Sequence, residues 1–237
     1  MPRSSTERIA CLLAMCLALG TSAIRADEPV DVLLHTESGD IVLALDAQHA
    51  PITTANFLRY VDEHRYDGAA FYRAVKVDEE GHYGLVQGGL HGGHARPAEA
   101  AKAPRSGQPG KAARAPRPPA PIPPIAHESP AQTGLHHVDG AISMARKEPG
   151  TATSEFFIVI GELTSLDGQD GDPGYAVFGH VASGMQVASQ MLLLPRSAET
   201  GDGSMGGQML ASPVKIISAR RVVAATPAPG PTPDTAP

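Results

Sequence analysis

The sequence predicts a mainly β protein whose strands form a closed barrel or a sandwich. Eight short segments have the composition of strands, and Gly-rich or polar turns separate most of them. The predicted strands are Val30–Thr36, Asp40–Leu45, Ala69–Val75, Gly84–Gln87, Gly140–Ala145, Ser154–Ile160, Tyr175–Val181 and Pro213–Val223. Only two segments have a helical pattern, and they do not alternate with the strands as they would in a parallel α/β sheet.

Local signals place the first hairpin and both helices. Glu37–Gly39 separates the first two strands and predicts a hairpin turn. Pro51 suits the first turn of a helix. Four positions then follow at the spacing of one helix face, namely Thr54, Phe57, Leu58 and Val61. A second helix is predicted over Gly184–Leu194, where Pro195 ends it.

The N-terminal segment indicates export. Two arginines precede the short apolar stretch Ile9–Leu19, and small residues up to Ala26 then offer cleavage sites. This three-part pattern is typical of a secretory signal peptide. We therefore expect residues 1–26 to be a signal peptide, and the mature protein to be periplasmic without a membrane span. Two alternatives stay open: a membrane anchor, for which the apolar stretch is short, and lipid attachment at Cys16.

Composition excludes several classes of function. Of the 237 residues, 42% are hydrophobic and 19% are charged, which excludes a wholly disordered chain. The net charge of −6 gives no support to a nucleic-acid partner. Both cysteines, Cys11 and Cys16, lie in the predicted signal peptide. The mature chain therefore has no thiol for a disulfide, a redox reaction or a thiolate metal site.

Two segments do not fit the predicted core. Residues 94–121 are rich in Ala and Pro and contain six Lys or Arg but only one acidic residue, Glu99. This composition has little to bury and predicts a flexible insertion. Residues 226–237 form a Pro-rich tail of similar character. The predicted organisation is thus one domain over residues 27–225, interrupted by the insertion and followed by a disordered tail.

Two glycine-rich segments have only part of a known binding motif. Gly201–Gly206 fits the spacing G-x-G-x-x-G, but it follows a helix and precedes a strand, the wrong order for a dinucleotide site. Three aspartates among glycines miss the spacing of a calcium loop and are expected to be turn residues: Asp167, Asp170 and Asp172.

The histidines and the serines give no catalytic motif either. Ten His residues are present, but no third ligand stands at a persuasive spacing from His91 and His94 or from His136–His137. We expect scattered surface histidines. No Ser/His/Asp arrangement and no Gly-x-Ser-x-Gly motif is apparent. The sequence therefore predicts neither a metal site nor a cofactor.

Seven stretches carry a joint pattern in chain order. They are Ala50–Phe57, Tyr66–Arg73, Val86–Gly89, Gly140–Arg146, Thr153–Ile158, Leu166–Gly168 and Tyr175–Gly179. Together they resemble the cyclophilin-type peptidyl-prolyl cis-trans isomerases, most closely the exported bacterial branch. The similarity covers roughly Val32–Val223 apart from the insertion. It implies a closed eight-stranded antiparallel barrel with a helix at each end.

The resemblance implies a reaction that needs no nucleophile, metal or cofactor. An X-Pro bond isomerises through a twisted amide, over a barrier of about 18–20 kcal/mol. Twisting returns the lone pair to the proline nitrogen, which becomes a hydrogen-bond acceptor. A fixed cation aimed at that nitrogen stabilises the twisted state and not the planar one. In the family the Arg of the Phe-x-Arg motif has this role, and here it is Arg73.

The resemblance assigns the other site residues as well. Gln87 matches the Gln that binds the substrate and steadies the Arg, and Phe157 matches the floor of the proline pocket. Ala145 and Arg146 match the stretch whose backbone pairs with the substrate. Further matches to the substrate-binding region are Leu85, Glu155, Leu166 and Tyr175. The expected partners are proline-containing polypeptides bound by a monomer.

Two departures from the family leave a second function open. Glu155 stands where Gln is usual, and a carboxylate at this position could pair with Arg73 or Arg146 and draw the cation from the substrate. The link Ala74–Gly84 is longer than usual and lacks the Phe of the pocket, for which Tyr83 is the candidate replacement. The alternative is therefore a peptide-binding chaperone or scaffold of the same fold with weak or no isomerase activity.

Overall fold

Eight antiparallel strands close into one barrel in the computed structural model, which describes residues 29–93, 122–197 and 205–222. The predicted signal peptide, the whole of the insertion and the tail lie outside these residues. The strands are β1 Val30–Thr36, β2 Gly39–Leu45, β3 Ala70–Lys76, β4 Gly84–Gly89, β5 Ala141–Met144, β6 Phe156–Ile160, β7 Ala176–Ser183 and β8 Met209–Arg221. The closure decides between the barrel and the sandwich that strand composition left open.

The long strand β8 closes the barrel. The strand order is β1-β2-β7-β5-β6-β4-β3-β8, and β8 pairs with both end strands. Its C-terminal half runs antiparallel to β1, with Leu34 opposite Ala219, and its N-terminal half runs antiparallel to β3, with Phe71 opposite Val214. Because no edge is left in the closed sheet, its backbone donors and acceptors are paired within the barrel.

Two longer helices pack against the barrel. Helix α1, Pro51–Asp62, contacts β7 and β8, and helix α4, Met185–Leu192, contacts β2, β3, β4 and β6. Both were predicted, and the buried face of α1 contains the four predicted positions. The described residues also contain helical segments that were not predicted: α2 Leu90–Gly93, α3 Pro130–Thr133 and a 3₁₀ turn at Thr164–Asp167. These short segments lack a periodic pattern long enough to be recognised in the sequence.

A distant carboxylate caps the N-terminus of α1. The N-cap residue Ala50 has no side chain that can accept a hydrogen bond. Glu128 supplies the acceptor instead: its Oε1 accepts from the Ile52 N–H at 3.0 Å, and its Oε2 accepts from the Thr53 N–H and hydroxyl, both at 2.7 Å. A negative charge is favourable at this end of a helix. The chain that returns from the insertion is thereby fastened to α1.

Alternation along the strands separates an inner core from a smaller outer cluster. Phe71, Val86, Phe156 and Ile158 belong to the inner core, which the buried faces of α1 and α4 complete. The outer cluster is a second apolar group on the opposite face of the sheet. It consists of Leu85, Leu135, Ala141, Ala145, Phe157, Val159, Leu163, Leu166, Tyr175 and Val177.

Candidate active site

Three of the predicted site residues lie side by side across neighbouring strands. Arg73 on β3 is opposite Gln87 on β4, and Gln87 is opposite Phe157 on β6. Their side chains lie on the outer face, because the adjacent residues of each strand fill the inner core. At about 5 Å between strands, Arg73 and Phe157 are about 10 Å apart along this row. A cation, an amide and an aromatic ring therefore border one short stretch of surface.

A β-bulge at Tyr72 brings two residues of β3 to Gln87. The register shifts between Phe71, opposite Gly88, and Arg73, opposite Gln87, so that Tyr72 is the extra residue. A bulge of this kind redirects side chains and is common beside active sites. Here the Gln87 Nε2 donates to the Tyr72 hydroxyl at 2.7 Å, and the Arg73 Nη1 donates to the Gln87 Oε1 at 2.7 Å. Tyr72 is not among the predicted site residues.

Neutral amide oxygens hold the Arg73 guanidinium. The Oε1 of Gln208 accepts from Nε at 2.9 Å and from Nη2 at 2.6 Å, opposite the bond to Gln87. Described residues accept from three of the five N–H donors, which leaves one on Nη1 and one on Nη2 for a ligand. Burial lowers the pKa of Arg73, but a guanidinium stays protonated at neutral pH. Among the described residues no carboxylate lies within 4.0 Å of it, so amides orient the charge without neutralising it.

Sequence reasoning missed Gln208. It lies in the turn before β8, and 135 residues separate it from Arg73. Residues 205–208 form a turn, and the Gln208 carbonyl accepts from the Ala74 N–H at 2.9 Å. This backbone bond fixes the turn next to Arg73. The sequence offered no signal for it, because the predicted strand began only at Pro213 while β8 begins at Met209.

Glu155 has different partners from those expected. Its Oε2 accepts from the Tyr72 hydroxyl at 2.7 Å, and its Oε1 accepts from the Ser154 hydroxyl at 2.9 Å. The His91 N–H and ring also contact Oε1, at 3.2 Å and 2.9 Å. The predicted ion pair with Arg73 or Arg146 is therefore wrong. The carboxylate is buried behind Tyr72 and does not draw the cation from the surface.

The outer cluster supplies the apolar wall beside the row. It contains five predicted site residues, namely Phe157, Leu85, Ala145, Leu166 and Tyr175. The Phe157 and Tyr175 rings meet edge to face at 5.4 Å. Tyr83 is 47% exposed and lies against Gly161, where an added Cβ would stand 2.5 Å from its Cδ1.

Arg146 shapes the loop that carries Tyr175. Its guanidinium lies over the Tyr175 ring at 4.9 Å and donates to the Gly174 carbonyl and the Asp172 carboxylate. The neighbouring Ala145 N–H already donates to the Glu155 carbonyl at 2.8 Å. That donor is therefore not available to a substrate strand, and Arg146 has a clear structural role in holding the aromatic wall.

One histidine expected on the surface is buried beneath the site. His137 has no exposed area and stacks on Phe157 at 5.8 Å. Its Nδ1 contacts the Asp167 carboxylate at 2.6 Å, and its Nε2 contacts the Ser143 hydroxyl at 3.1 Å. The expectation that His137 lies at the surface and that no Ser/His/Asp arrangement exists was therefore wrong. Because Ser143 is also fully buried, its hydroxyl cannot reach an external carbonyl.

The buried His137–Asp167 pair predicts a loss of stability in acid. Burial lowers the pKa of His137, against the attraction of Asp167. Burial alone would raise the pKa of Asp167, but hydrogen bonds from His137 and His136 hold it below its ordinary value. Both groups thus bind protons more readily in the unfolded chain. The stability they contribute is complete above pH 6.5, the ordinary value for His, and declines as the pH falls below it.

Urea unfolding at pH 7.5 and pH 5.0 tests this prediction. One such histidine changes the free energy of unfolding by at most about 1.4 kcal/mol per pH unit, which gives about 1–2 kcal/mol over this range. Burial also lowers the pKa of His127, which therefore contributes in the same direction in every variant. We therefore expect a smaller decline for His137→Asn than for the wild type. Equal declines would show that His137 is not the titrating group.

Comparisons with known proteins agree with this geometry. The family described as cyclophilin type peptidyl-prolyl cis-trans isomerase/CLD matches residues 31–220. The chain belongs to this family. It is 37% identical over 183 residues to peptidyl-prolyl cis-trans isomerase A of Dickeya dadantii, covering 77% of this chain and 81% of the relative. It is 31% identical over 210 residues to a peptidyl-prolyl cis-trans isomerase of Acinetobacter baylyi, covering 87% and 94%.

Solved cyclophilin structures have the same fold. A cyclophilin-type isomerase of Cryptosporidium parvum superposes with a TM-score of 0.58 at 19% identity, over 83% of this chain and 99% of that one. A structure of the same protein in the presence of the dipeptide Ala-Pro gives a TM-score of 0.58 at 18% identity, over 82% and 99%. Fold and family confirm a cyclophilin barrel and a peptidyl-prolyl isomerase, as the sequence predicted.

Proposed function

We propose that this cyclophilin isomerises X-Pro bonds in exported proteins as they fold, and that Arg73 stabilises the twisted amide. The single observation that carries the mechanism is the set of hydrogen bonds at Arg73. Two glutamine amides hold its guanidinium, and two of its N–H donors have no acceptor in the part of the chain that the structure describes. A cation fixed in this way is ready before the substrate binds and costs little reorganisation during the reaction.

The proposed mechanism follows from what changes at the proline nitrogen. In the planar amide the lone pair is delocalised, and the nitrogen accepts no hydrogen bond. As the bond twists, the lone pair localises, and a free N–H of Arg73 donates to it. A charge-assisted bond contributes about 1.5–3 kcal/mol, and it exists only in the twisted state. No covalent bond is formed or broken, and the proline returns to either planar isomer.

Phe157 and its neighbours are the proposed site for the proline ring. The ring would rest on the outer cluster one strand from Gln87, with its nitrogen toward Arg73. Gln87 would remain bonded to Arg73 while its backbone and the adjacent surface contact the peptide. An apolar floor beside one cation suits a pyrrolidine ring, which has no polar atom except its nitrogen.

Export to the periplasm is part of the proposal. It rests on the predicted signal peptide, residues 1–26. In the described parts of the chain, no helix combines the length and apolar character that a membrane crossing needs. Uncatalysed X-Pro isomerisation takes tens to hundreds of seconds and limits the folding of many chains, so a catalyst is useful where exported chains fold.

The chaperone alternative has lost its main support. It depended on Glu155 competing for Arg73, but Glu155 is bonded to Tyr72 and Ser154. The altered link before β4 remains a departure from the family. Its Tyr83, the candidate replacement for the Phe of the pocket, lies against Gly161 at the start of that strand. The test below can still support this alternative, if the protein binds proline peptides without accelerating their cis-trans exchange.

Two measurements test the proposed function. In the first, a test protein whose refolding rate is limited by isomerisation of a cis proline is refolded with and without the purified cyclophilin. We expect the slow refolding phase to accelerate in proportion to the added cyclophilin. Cell fractionation of the full chain and of a chain lacking residues 1–26 tests export, and only the former should reach the periplasm. Peptide binding without any acceleration would favour the chaperone, and equal fractionation would reject export.

A further inference from the structure

A chain of hydrogen bonds runs from Glu155 through Tyr72 and Gln87 to Arg73. We propose that Glu155 and Tyr72 are positioning residues: the carboxylate, acting through the Tyr72 hydroxyl, fixes the direction of every bond in this chain and so sets the orientation of Gln87 against Arg73. This inference deepens the isomerase function proposed above and rests on it. Neither residue touches the reacting bond in this account.

The direction of the chain starts at the carboxylate. An ionised carboxylate only accepts hydrogen bonds, so the Tyr72 hydroxyl must donate to the Glu155 Oε2, 2.7 Å away. Tyr72 is only 7% exposed. Burial raises its pKa well above the ordinary value, and the nearby Glu155 charge raises it further. The hydroxyl therefore keeps its proton, and its lone pairs are left to accept from the other side.

The second bond fixes the Gln87 amide. The Tyr72 oxygen accepts from the Gln87 Nε2 at 2.7 Å. Because a glutamine amide has its NH₂ and its oxygen on opposite sides, the Oε1 then faces the Arg73 Nη1, 2.7 Å away. The guanidinium meets an acceptor and not a donor. Together with Gln208 on its other side, this sets the plane of the two N–H groups of Arg73 that no described residue accepts.

A glutamine at 155 would leave this direction open. Its amide can donate to the Tyr72 oxygen, and the hydroxyl can then donate to the Gln87 Oε1. The Gln87 amide would be reversed, with its NH₂ group directed at the Arg73 guanidinium, donor against donor. The carboxylate excludes this second arrangement because it has no proton to donate. The charge at 155 is thus a device that selects one of two hydrogen-bond patterns.

The carboxylate is itself held in place. The Ser154 hydroxyl donates to Oε1, and the His91 N–H and ring contact the same oxygen. Gly89, on β4, leaves space for it: an added Cβ would stand 2.5 Å from the Oε2. The preceding backbone is also fixed, because the buried Tyr66 hydroxyl donates to the Ser154 carbonyl at 3.0 Å. Glu155 therefore cannot swing toward Arg73 without breaking several bonds.

A double-mutant cycle with an NMR readout tests the proposal. We expect Glu155→Gln and Tyr72→Phe each to lower kcat/KM on an Ala-Pro peptide about three- to tenfold, the value of one hydrogen bond. The kcat/KM of the double variant should be no lower than that of the less active single variant, because both substitutions act through the same chain of hydrogen bonds. Cross-peaks of the Gln87 side-chain amide and the Arg73 Nε–H should shift in all three. The matched control is Glu162→Gln, which removes one charge from an exposed side chain and should leave kcat/KM and these cross-peaks unchanged.

Each outcome decides the proposal. Additive losses, an unchanged Arg73 cross-peak, or a gain of activity in Glu155→Gln would overturn it. The proposed isomerase function would still hold if the wild type is active and its activity depends on Arg73. If Glu155→Gln does not fold, Tyr72→Phe alone decides, since it removes only one hydroxyl. If the wild type does not turn over the peptide, the proposed function fails, and the NMR shifts still decide whether the chain orients Arg73.

Discussion

Replacing Arg73 by Ala is expected to lower kcat/KM on an Ala-Pro peptide about 10- to 150-fold. This range corresponds to the 1.5–3 kcal/mol of a charge-assisted hydrogen bond that forms only in the twisted state. Arg73→Lys should also lose activity, because a lysine keeps the charge but cannot bond to Gln87 and Gln208 in the same fork. A protease-coupled or NMR-exchange assay measures both variants.

The control for this loss is another arginine of similar chemistry away from the site. Arg59 lies exposed on α1 and bonds to Glu63. Arg59→Ala removes the same charge from the protein and should leave kcat/KM unchanged. An equal loss in both variants would point to net charge, and no loss in Arg73→Ala would remove Arg73 from the mechanism.

Replacing Phe157 by Leu is expected to lower kcat/KM at least tenfold and also to reduce stability. Phe157 has 3% exposed area and packs between His137 and Tyr175, so the smaller side chain leaves space beneath the proposed proline pocket. We expect the free energy of unfolding to fall by about 1–3 kcal/mol. Urea unfolding and the isomerase assay, run at a temperature where the variant is folded, give the two numbers.

Phe178→Leu separates the two effects. Phe178 is fully buried in the inner core beside Phe57, so its loss should cost similar stability without changing the outer face. We expect this variant to keep nearly all isomerase activity. If both variants lose activity in proportion to stability, the aromatic floor has no role of its own.

Strand composition and the family resemblance predicted the parts of the site that depend on the regular sheet. Arg73, Gln87 and Phe157 each lie on a strand that was predicted from its composition, and the barrel brings them into one row. The helix α1 followed from its apolar spacing. Whether eight strands close into a barrel or stack as a sandwich depends on pairings between distant segments, such as β8 with both β1 and β3, which composition does not specify.

The parts that were missed depend on irregular backbone and long-range contacts. Tyr72 reaches Gln87 only because a bulge breaks the alternation, and no residue type in β3 announces a bulge. The charge of Glu155 suggested an arginine as its partner, but the carboxylate binds the buried Tyr72 hydroxyl instead. His137 looked like a surface residue because Asp167, its partner, is 30 residues away in the chain. In each case tertiary packing determined the partner.

The most direct test of the central claim separates binding from isomerisation on the enzyme. NMR line shapes of an Ala-Pro peptide, titrated with the wild type and with Arg73→Ala, give the Kd and the cis-trans rate of the bound peptide. If Arg73 acts on the twisted amide, the bound rate falls 10- to 150-fold and the Kd changes less than about threefold. A Kd weakened by the full factor, with the bound rate unchanged, would contradict the account.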